Sequence, residues 1–399
     1  MLLRLACVTL VLATGAAAQQ NQGVAAGGIL PSDAVGENNP DTGRAGQGSW
    51  ETRLGLYLRP DSGGTNGNPF LEEELIVIEP VVLYDRFLTD DDQLHVQFSY
   101  DRVTSASIER LSKFPVQSGA SGDNYFGLDV GMSHWTTAHT NWGWHVGASV
   151  EYDYRSIGGG FSWHHDLDPA DASVTLSLDY YSDTLDLIAI DGVESGQDDR
   201  TSITANATWY QVLGPKDVGE FGITLADQDG FLGTPYNGVV IEDGGTPPFP
   251  FANGSLGTEV PENVPRARQR TALWGRWRHL LSPGRSLELG LRAYNDDWGI
   301  RAFTFEPRWY AWYEDQSLLR LRYRFYTQNE ADFFAEQFLA PATFQTQDSG
   351  LSGFDTHMIG AQYFWFPSQS TRWDVGLDYV SSSDGLDAVI ATFGWKWSF

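Results

Sequence analysis

The sequence holds a single cysteine in 399 residues, Cys7, and it sits inside a short apolar stretch at the N-terminus. If that stretch is removed, no thiol remains. Disulfides, thiolate metal sites and a cysteine nucleophile are then excluded, and so is the Cys-x-x-Cys-His attachment of a c-type haem. Long apolar runs are missing as well. After Ala18 none reaches the roughly 20 residues that a spanning helix requires. Basic residues are in short supply: 25 Lys and Arg stand against 52 Asp and Glu, for a formal net charge of −27. So acidic a chain repels nucleic-acid phosphates, and no nucleic-acid partner is expected.

What the sequence does have begins with a sorting signal. Arg4 supplies a short positive region, Leu5 to Ala13 an apolar core, and Ala16-Ala17-Ala18 a small-residue cleavage site before Gln19. Residues 1–18 therefore read as a cleaved signal peptide. Leu5-Ala6-Cys7 does not make a lipoprotein box, because almost no apolar stretch precedes the cysteine. Residues 19–49, rich in Gly, Asn, Gln and Ala and without periodicity, read as a disordered periplasmic leader.

From Trp50 onward the chain alternates. Leu94, Val96, Phe98 and Tyr100 interleave with His95, Gln97, Ser99 and Asp101. Leu319, Leu321, Tyr323 and Phe325 interleave with Arg320, Arg322, Arg324 and Tyr326. A period of two means strands with two unlike faces. The pattern predicts about sixteen strands, with cores at 50–60, 73–88, 93–105, 125–139, 142–156, 160–168, 172–184, 201–213, 218–228, 267–281, 286–296, 301–313, 317–328, 355–366, 371–381 and 387–399. Tight links such as Thr140-Asn141 and Ser282-Pro283-Gly284 follow even strands. Most links after odd strands are longer, at 61–72, 106–124, 185–200, 229–266 and 329–354. Aromatic residues make up 14% of the chain. A soluble β-sandwich would not need apolar and aromatic residues on nearly every strand of so long a domain. The reading is an all-β, antiparallel transmembrane β-barrel over 50–399, with short periplasmic turns and long extracellular loops, in the outer membrane of a Gram-negative cell.

The last strand is the most specific part. Thr392-Phe393-Gly394-Trp395-Lys396-Trp397-Ser398-Phe399 places four aromatic residues on one face and resembles the terminal signal by which barrel assembly machinery recognises its substrates. Gly394, Trp397 and Phe399 are its candidate residues. Outer-membrane lipids and lipopolysaccharide are then the expected surroundings.

If the apolar faces meet lipid, the other faces line a lumen. That puts Arg268, Arg270, Arg276, Arg278, Arg292, Arg308, Arg320, Arg322 and Arg324 inside as a basic wall. An acidic wall of Glu79, Asp85, Asp101, Asp129, Glu151, Asp153 and Asp179 stands opposite. Such a segregation sorts ions and polar solutes by charge and dipole, and about sixteen strands leave room for an aqueous path. The expectation is a porin-like channel for small polar solutes or ions. The alternative is a barrel plugged by its own ion pairs.

Local chemistry is thin. In His164-His165-Asp166 only His164 and Asp166 share a face, too few for a metal centre. His95 and His145 fall beside acids on the inner face and read as polar filling. No Gly-x-Ser-x-Gly motif and no His and Ser at a telling spacing suggest a hydrolase, although convergent sites need neither. Gly158-Gly159-Gly160 lacks the Lys and helix of a phosphate loop and reads as a tight outer turn. The acidic stretches 191–200 and 242–245 lack the ligand spacing of a calcium loop. Asp296-Asp297-Trp298-Gly299 reads as a rim turn, with cation binding as the alternative. The expectation is no enzyme, no cofactor and no metal.

Asn295-Asp296-Asp297-Trp298-Gly299-Ile300-Arg301 and Gly385-Leu386-Asp387-Ala388-Val389-Ile390 are similar to segments of a proteobacterial outer-membrane β-barrel family known as domain of unknown function 3570. So are Val77-Ile78-Glu79-Pro80, Glu151-Tyr152-Asp153-Tyr154 and Gln328-Asn329-Glu330-Ala331-Asp332-Phe333-Phe334. The resemblance covers roughly Thr52 to Phe399. It implies a barrel and carries over no catalytic residues. Members are encoded near envelope flavin-transfer and thioredoxin-like proteins, which implies an envelope lipoprotein or redox protein as candidate partner and a structural sleeve as an alternative function.

Overall fold

In the computed structural model, residues 43–60, 75–105, 123–188, 194–233, 238–244, 257–314 and 316–399 are described. The signal peptide and most of the leader, residues 1–42, lie outside the described residues, as does the whole of the expected loop 61–72. The chain folds as β1 (Gly48–Arg59), β2 (Leu75–Phe87), β3 (Asp92–Ser105), β4 (Asp123–Thr137), β5 (Thr140–Val150) and β6 (Tyr154–Leu167). There follow β7 (Ala172–Ile188), β8 (Glu194–Gly214), β9 (Asp217–Gly230), β10 (Gly238–Ile241), β11 (Thr258–Pro261) and β12 (Ala267–Ser282). The remainder are β13 (Arg285–Asp296), β14 (Arg301–Tyr313), β15 (Ser317–Gln328), β16 (Phe354–Ser368), β17 (Thr371–Ser382) and β18 (Asp387–Ser398).

All but β10 and β11 pair in one closed antiparallel barrel, in which β12 follows β9 directly and β18 returns to β1. The seam pairs Trp50 with Trp397 and Leu54 with Phe393. Gly48 and Phe399 exchange backbone hydrogen bonds of 2.8 and 2.9 Å at its end. Closure leaves no unpaired sheet edge, the condition a sheet must meet to cross a bilayer.

Alternation decides the two faces. Leu54, Phe98, Leu128, Trp144, Phe161, Leu178, Phe221, Leu273, Leu291, Leu321, Ile359, Val375 and Phe393 all stand exposed on the outer face. Neighbours in sequence such as Asp101, Asp179, Glu288, Arg308, Gln362 and Asp374 are buried on the inner one. Apolar outside and polar inside is the arrangement of a transmembrane barrel. Aromatic contacts near the even-numbered turns, among them Phe87 with Trp135, Trp142 with Trp163 and Trp397 with Phe399, form a girdle at that rim.

Two sequence expectations change. Gly158, Gly159 and Gly160 are not a turn; they lie within β6, and the reversal falls at Glu151-Tyr152-Asp153. The alternation of Tyr152 and Tyr154 continues that of β5 through the reversal, so the sequence pattern runs on where the chain turns. The link expected at 185–200 is mostly strand, because β7 and β8 continue as a long hairpin to Ile188 and Glu194. A β8 of 21 residues is about twice what a tilted strand needs to cross.

The two longest links fold against each other. β10 and β11 make a small hairpin within the β9–β12 link, bridged to the β15–β16 link through Ile241 with Phe338 and Asn263 with Gln345. Val239 and Thr346 are fully buried between them. Val240 N–H donates to Gln347 Oε1 at 2.9 Å, and Thr346 Oγ1 donates to Glu262 Oε1 at 2.7 Å. These links form a cap at the long-loop end, over strands β9 to β16.

Candidate functional site

The inner wall is the candidate site, built by register. On β12 to β15 the inward positions hold all nine arginines named above, Arg268 to Arg324. Three carboxylates share those strands on the inside, Glu288, Asp296 and Glu306. On β2 to β7 the inward positions hold Glu79, Asp85, Asp101, Asp129, Asp166, Asp179 and Asp183. Among the described residues no lysine or arginine occupies an inward position of β2 to β7. In the ring order β12 to β15 sit half a circuit from β2 to β5, so the two sets lie on facing arcs. Glu151 and Asp153 belong to the β5–β6 turn instead of the strand face expected for them.

The basic arc is partly neutralised, which the sequence pattern had not shown. Arg308 lies between Glu288 at 2.8 Å and Glu306 at 2.6 Å. Arg278 reaches the other oxygen of Glu288, Arg276 meets Glu220 of β9 at 3.3 Å, and Arg322 takes Asp378 of β17 at 2.6 Å. Arg320 donates to Gln362. Glu220, Glu288, Glu306 and Asp378 were not foreseen as wall residues. Their alternation was available, but a carboxylate flanked by leucines carries no sign of the arginine it will meet on another strand.

Asp296 organises the rim. Arg268 Nε donates to its Oδ2 at 2.9 Å, as does Tyr294 Oη at 2.8 Å. The backbone N–H groups of Trp298 and Ile300 donate to its Oδ1. The Arg268 guanidinium lies 4.2 Å from the Trp298 ring centre. With both oxygens engaged by this chain, the Asp296-Asp297-Trp298-Gly299 segment is a turn that ties the β13–β14 link to the wall.

Much of the acidic arc is held by histidines and hydroxyls, and Asp183 by Arg200 of β8 at 2.7 Å. His145 bridges Asp129 at 2.7 Å and Asp179 at 3.0 Å through its two ring nitrogens. Gly160 makes this possible, since a Cβ there would overlap both Asp179 Oδ1 and His145 Nε2. One level nearer the short turns, His95 Nδ1 meets Asp85 Oδ1 at 2.6 Å and its Nε2 meets Ser133 Oγ at 3.0 Å. Three strands thus bring a serine, a histidine and an aspartate into series, a juxtaposition that the spacing 85, 95, 133 does not announce. His164 contacts Thr175 and Asp166, while His165 points outward against the Trp163 ring. At the assembly signal, Phe399 stacks on Tyr84, Trp397 packs on Phe399 at 4.9 Å, and Gly394 leaves room for Asp374.

No curated protein matches the chain. Among solved structures it is similar to a bacterial polysaccharide outer membrane secretin, at 10% identity and a TM-score of 0.48, over 90% of this chain and 100% of that one. It is also similar to the TodX monoaromatic hydrocarbon channel, at 9% identity and 0.43, over 89% and 91%. The ferric enterobactin receptor PfeA from Pseudomonas aeruginosa gives 12% and 0.43, over 84% of this chain and 53% of the receptor, so the chain spans about half of that receptor's length. At the level of sequence, a family model matches residues 112–389, well over half the chain. This outer-membrane β-barrel therefore belongs to the family described as Protein of unknown function (DUF3570).

Proposed function

We propose that the protein is a porin-like outer-membrane channel for small polar solutes or ions, exported through a cleaved signal peptide. The observation that carries this reading is the segregation of charge on the inner wall. The inward face of β12 to β15 holds nine arginines against three carboxylates, and among the described residues the inward face of β2 to β7 holds carboxylates with no lysine or arginine. A field across a low-dielectric tube acts on whatever passes and raises the local concentration of the solutes it favours. The test is single-channel conductance of the refolded mature protein in a planar bilayer under a salt gradient. Steady conductance with an ion preference is expected. A barrel that does not conduct overturns the reading and moves attention to a sleeve for an envelope lipoprotein or redox protein, detectable as a copurifying partner.

A second reading rests on Asp85, His95 and Ser133, whose series of contacts suits an activated nucleophile. It ranks below the first because the backbone N–H groups of these strands are committed to the ladder, so oxyanion donors would have to come from side chains. Covalent labelling of the folded barrel by a fluorophosphonate probe, lost in Ser133→Ala, would support it. An unlabelled barrel rejects it.

A further inference from the structure

Five of the nine inner arginines have carboxylate partners, and Arg320 has Gln362. The other three, Arg270, Arg292 and Arg324, form no ion pair among the described residues. Arg270 Nε is buried with no hydrogen-bond partner. The three are linked by phenol rings. Tyr294 lies within electrostatic reach of Arg270 and of Arg292, whose guanidinium is 5.9 Å from the Tyr294 ring centre. Tyr326 shares a row with Arg292 through Thr304 of β14, and Arg324 is the next inward residue from Tyr326 on β15. Arg292 and Arg324 stand seven residues in from the short-turn ends of β13 and β15, and Arg270 stands nearer the cap.

Unpaired guanidiniums facing one another in a tube of low dielectric repel, and a shared anion converts that repulsion into attraction. The guanidinium fork matches the two oxygens of a carboxylate or phosphate, where an ammonium would offer only a point charge. The close contacts of the neighbouring acids go elsewhere: Asp296 is taken by Arg268, Tyr294 and two backbone N–H groups, and Glu306 by Arg308, although Glu306 also acts on Arg324 at longer range. The wall thus neutralises most of its arginines one by one and leaves three without an ion pair: Arg292 and Arg324, two residues apart in register, and Arg270, four residues further towards the cap.

We propose that Arg292 and Arg324, with Arg270 above them towards the cap, form a binding site in the lumen for the carboxylate or phosphate group of a small anionic solute. The site deepens the channel reading by naming the class of solute. It rests on that reading only in supposing that solutes reach the lumen.

Binding is measured by isothermal titration of the folded mature barrel in detergent, at low salt, with citrate and with inorganic phosphate. This requires no conduction, so a barrel that binds but does not conduct would keep the site and lose the channel. Saturable binding of at least one probe is expected, weakened about tenfold or more by Arg292→Gln or Arg324→Gln, as for loss of a charged hydrogen-bonding partner. Arg155→Gln, which removes a charge from the outer face near the rim, should leave it unchanged. If a glutamine variant does not fold, judged by heat-modifiable migration, Arg292→Lys keeps the charge and removes the fork, and binding should still weaken. Binding of only one probe identifies the oxygen geometry preferred. No saturable binding of either probe overturns the site, and so does binding that survives both Arg292→Gln and Arg324→Gln, or Arg292→Lys where those do not fold.

Discussion

On β2 to β7 the inner carboxylates Asp85, Asp129, Asp166 and Asp179 meet imidazole, and Asp183 meets Arg200 of β8, whereas on β12 to β15 the inner carboxylates meet guanidinium. His145 between Asp129 and Asp179 links β4, β5 and β7 with one compact ring, while Arg308 joins Glu306 on its own strand to Glu288 on β13 with a long side chain that carries a fixed charge. The acidic arc therefore keeps a surplus of negative charge and the basic arc a surplus of positive charge, although each has partners for many of its groups. Pairing and segregation are compatible: a wall can be rigidified by its own contacts and still present a field.

The largest effect expected from breaking this comparison is at Arg308. Arg308→Ala leaves Glu288 and Glu306 buried without their shared cation, which costs about 3–5 kcal/mol when a buried pair loses one member. His145→Ala on the other arc removes two hydrogen bonds to carboxylates but frees space beside Gly160, and about 1.5–3 kcal/mol is expected. Urea titration of the folded barrel in lipid vesicles checks the order. Equal losses would mean that the two arcs are held in the same way.

Much of this was legible from residue alternation alone. Sixteen strands, their closure and the inward placement of the nine arginines follow from period two, because one register slip would turn every apolar side chain inward. What stayed hidden depends on contacts between distant strands. Ser133 reaches His95 because β3 and β4 pair, and Asp378 reaches Arg322 across β16. The Gly158-Gly159-Gly160 run was misread because glycine disfavours strands in general, while here Gly158 and Gly160 admit the Tyr181 ring and the His145–Asp179 contact. The β10–β11 hairpin was missed because four-residue strands are too short to show a period.

The walls differ next in what they should do to ions. Replacing Arg320, Arg322 and Arg324 together with Glu is the obvious reversal, but Arg322 holds Asp378, and a glutamate there would face a buried carboxylate. Arg292→Glu with Arg324→Glu removes only unpaired cations, and should move the reversal potential of the reconstituted channel towards cation preference. Glu79→Gln on the opposite arc should move it the other way, by less, since it removes at most one negative charge. A conducting protein with unchanged reversal potentials in both variants would show that ions do not sample the facing walls.

Deleting Phe399 tests the seam. The residue closes β18 on Gly48 and packs Trp397 and Tyr84. Its loss should lower the amount of folded barrel recovered from membranes, read as the heat-modifiable band. Full assembly without it would mean that the terminal aromatic is not part of the recognition signal.

The smallest effect is expected where a pair stands in water. Arg266, in the link before β12, makes two hydrogen bonds to Asp198 at 2.6 and 2.8 Å, tying the overhanging β7–β8 hairpin to the cap links. The Arg266 guanidinium holds the Asp198 carboxyl below its usual range. A carboxyl whose folded value is depressed contributes stability above its ordinary value of about 3.9 and loses it as the pH falls through the lowered one. With Arg266 largely exposed, Arg266→Gln should cost less than about 1 kcal/mol, and the loss should vanish in acid and shrink in high salt. Amide hydrogen exchange at the β7–β8 tip and before β12 reads this directly. Faster exchange at both places at pH 7 in the variant, with no difference between variant and wild type at pH 2, is the expected result. Exchange that rises at one place only would mean that the pair decorates the hairpin without clamping it.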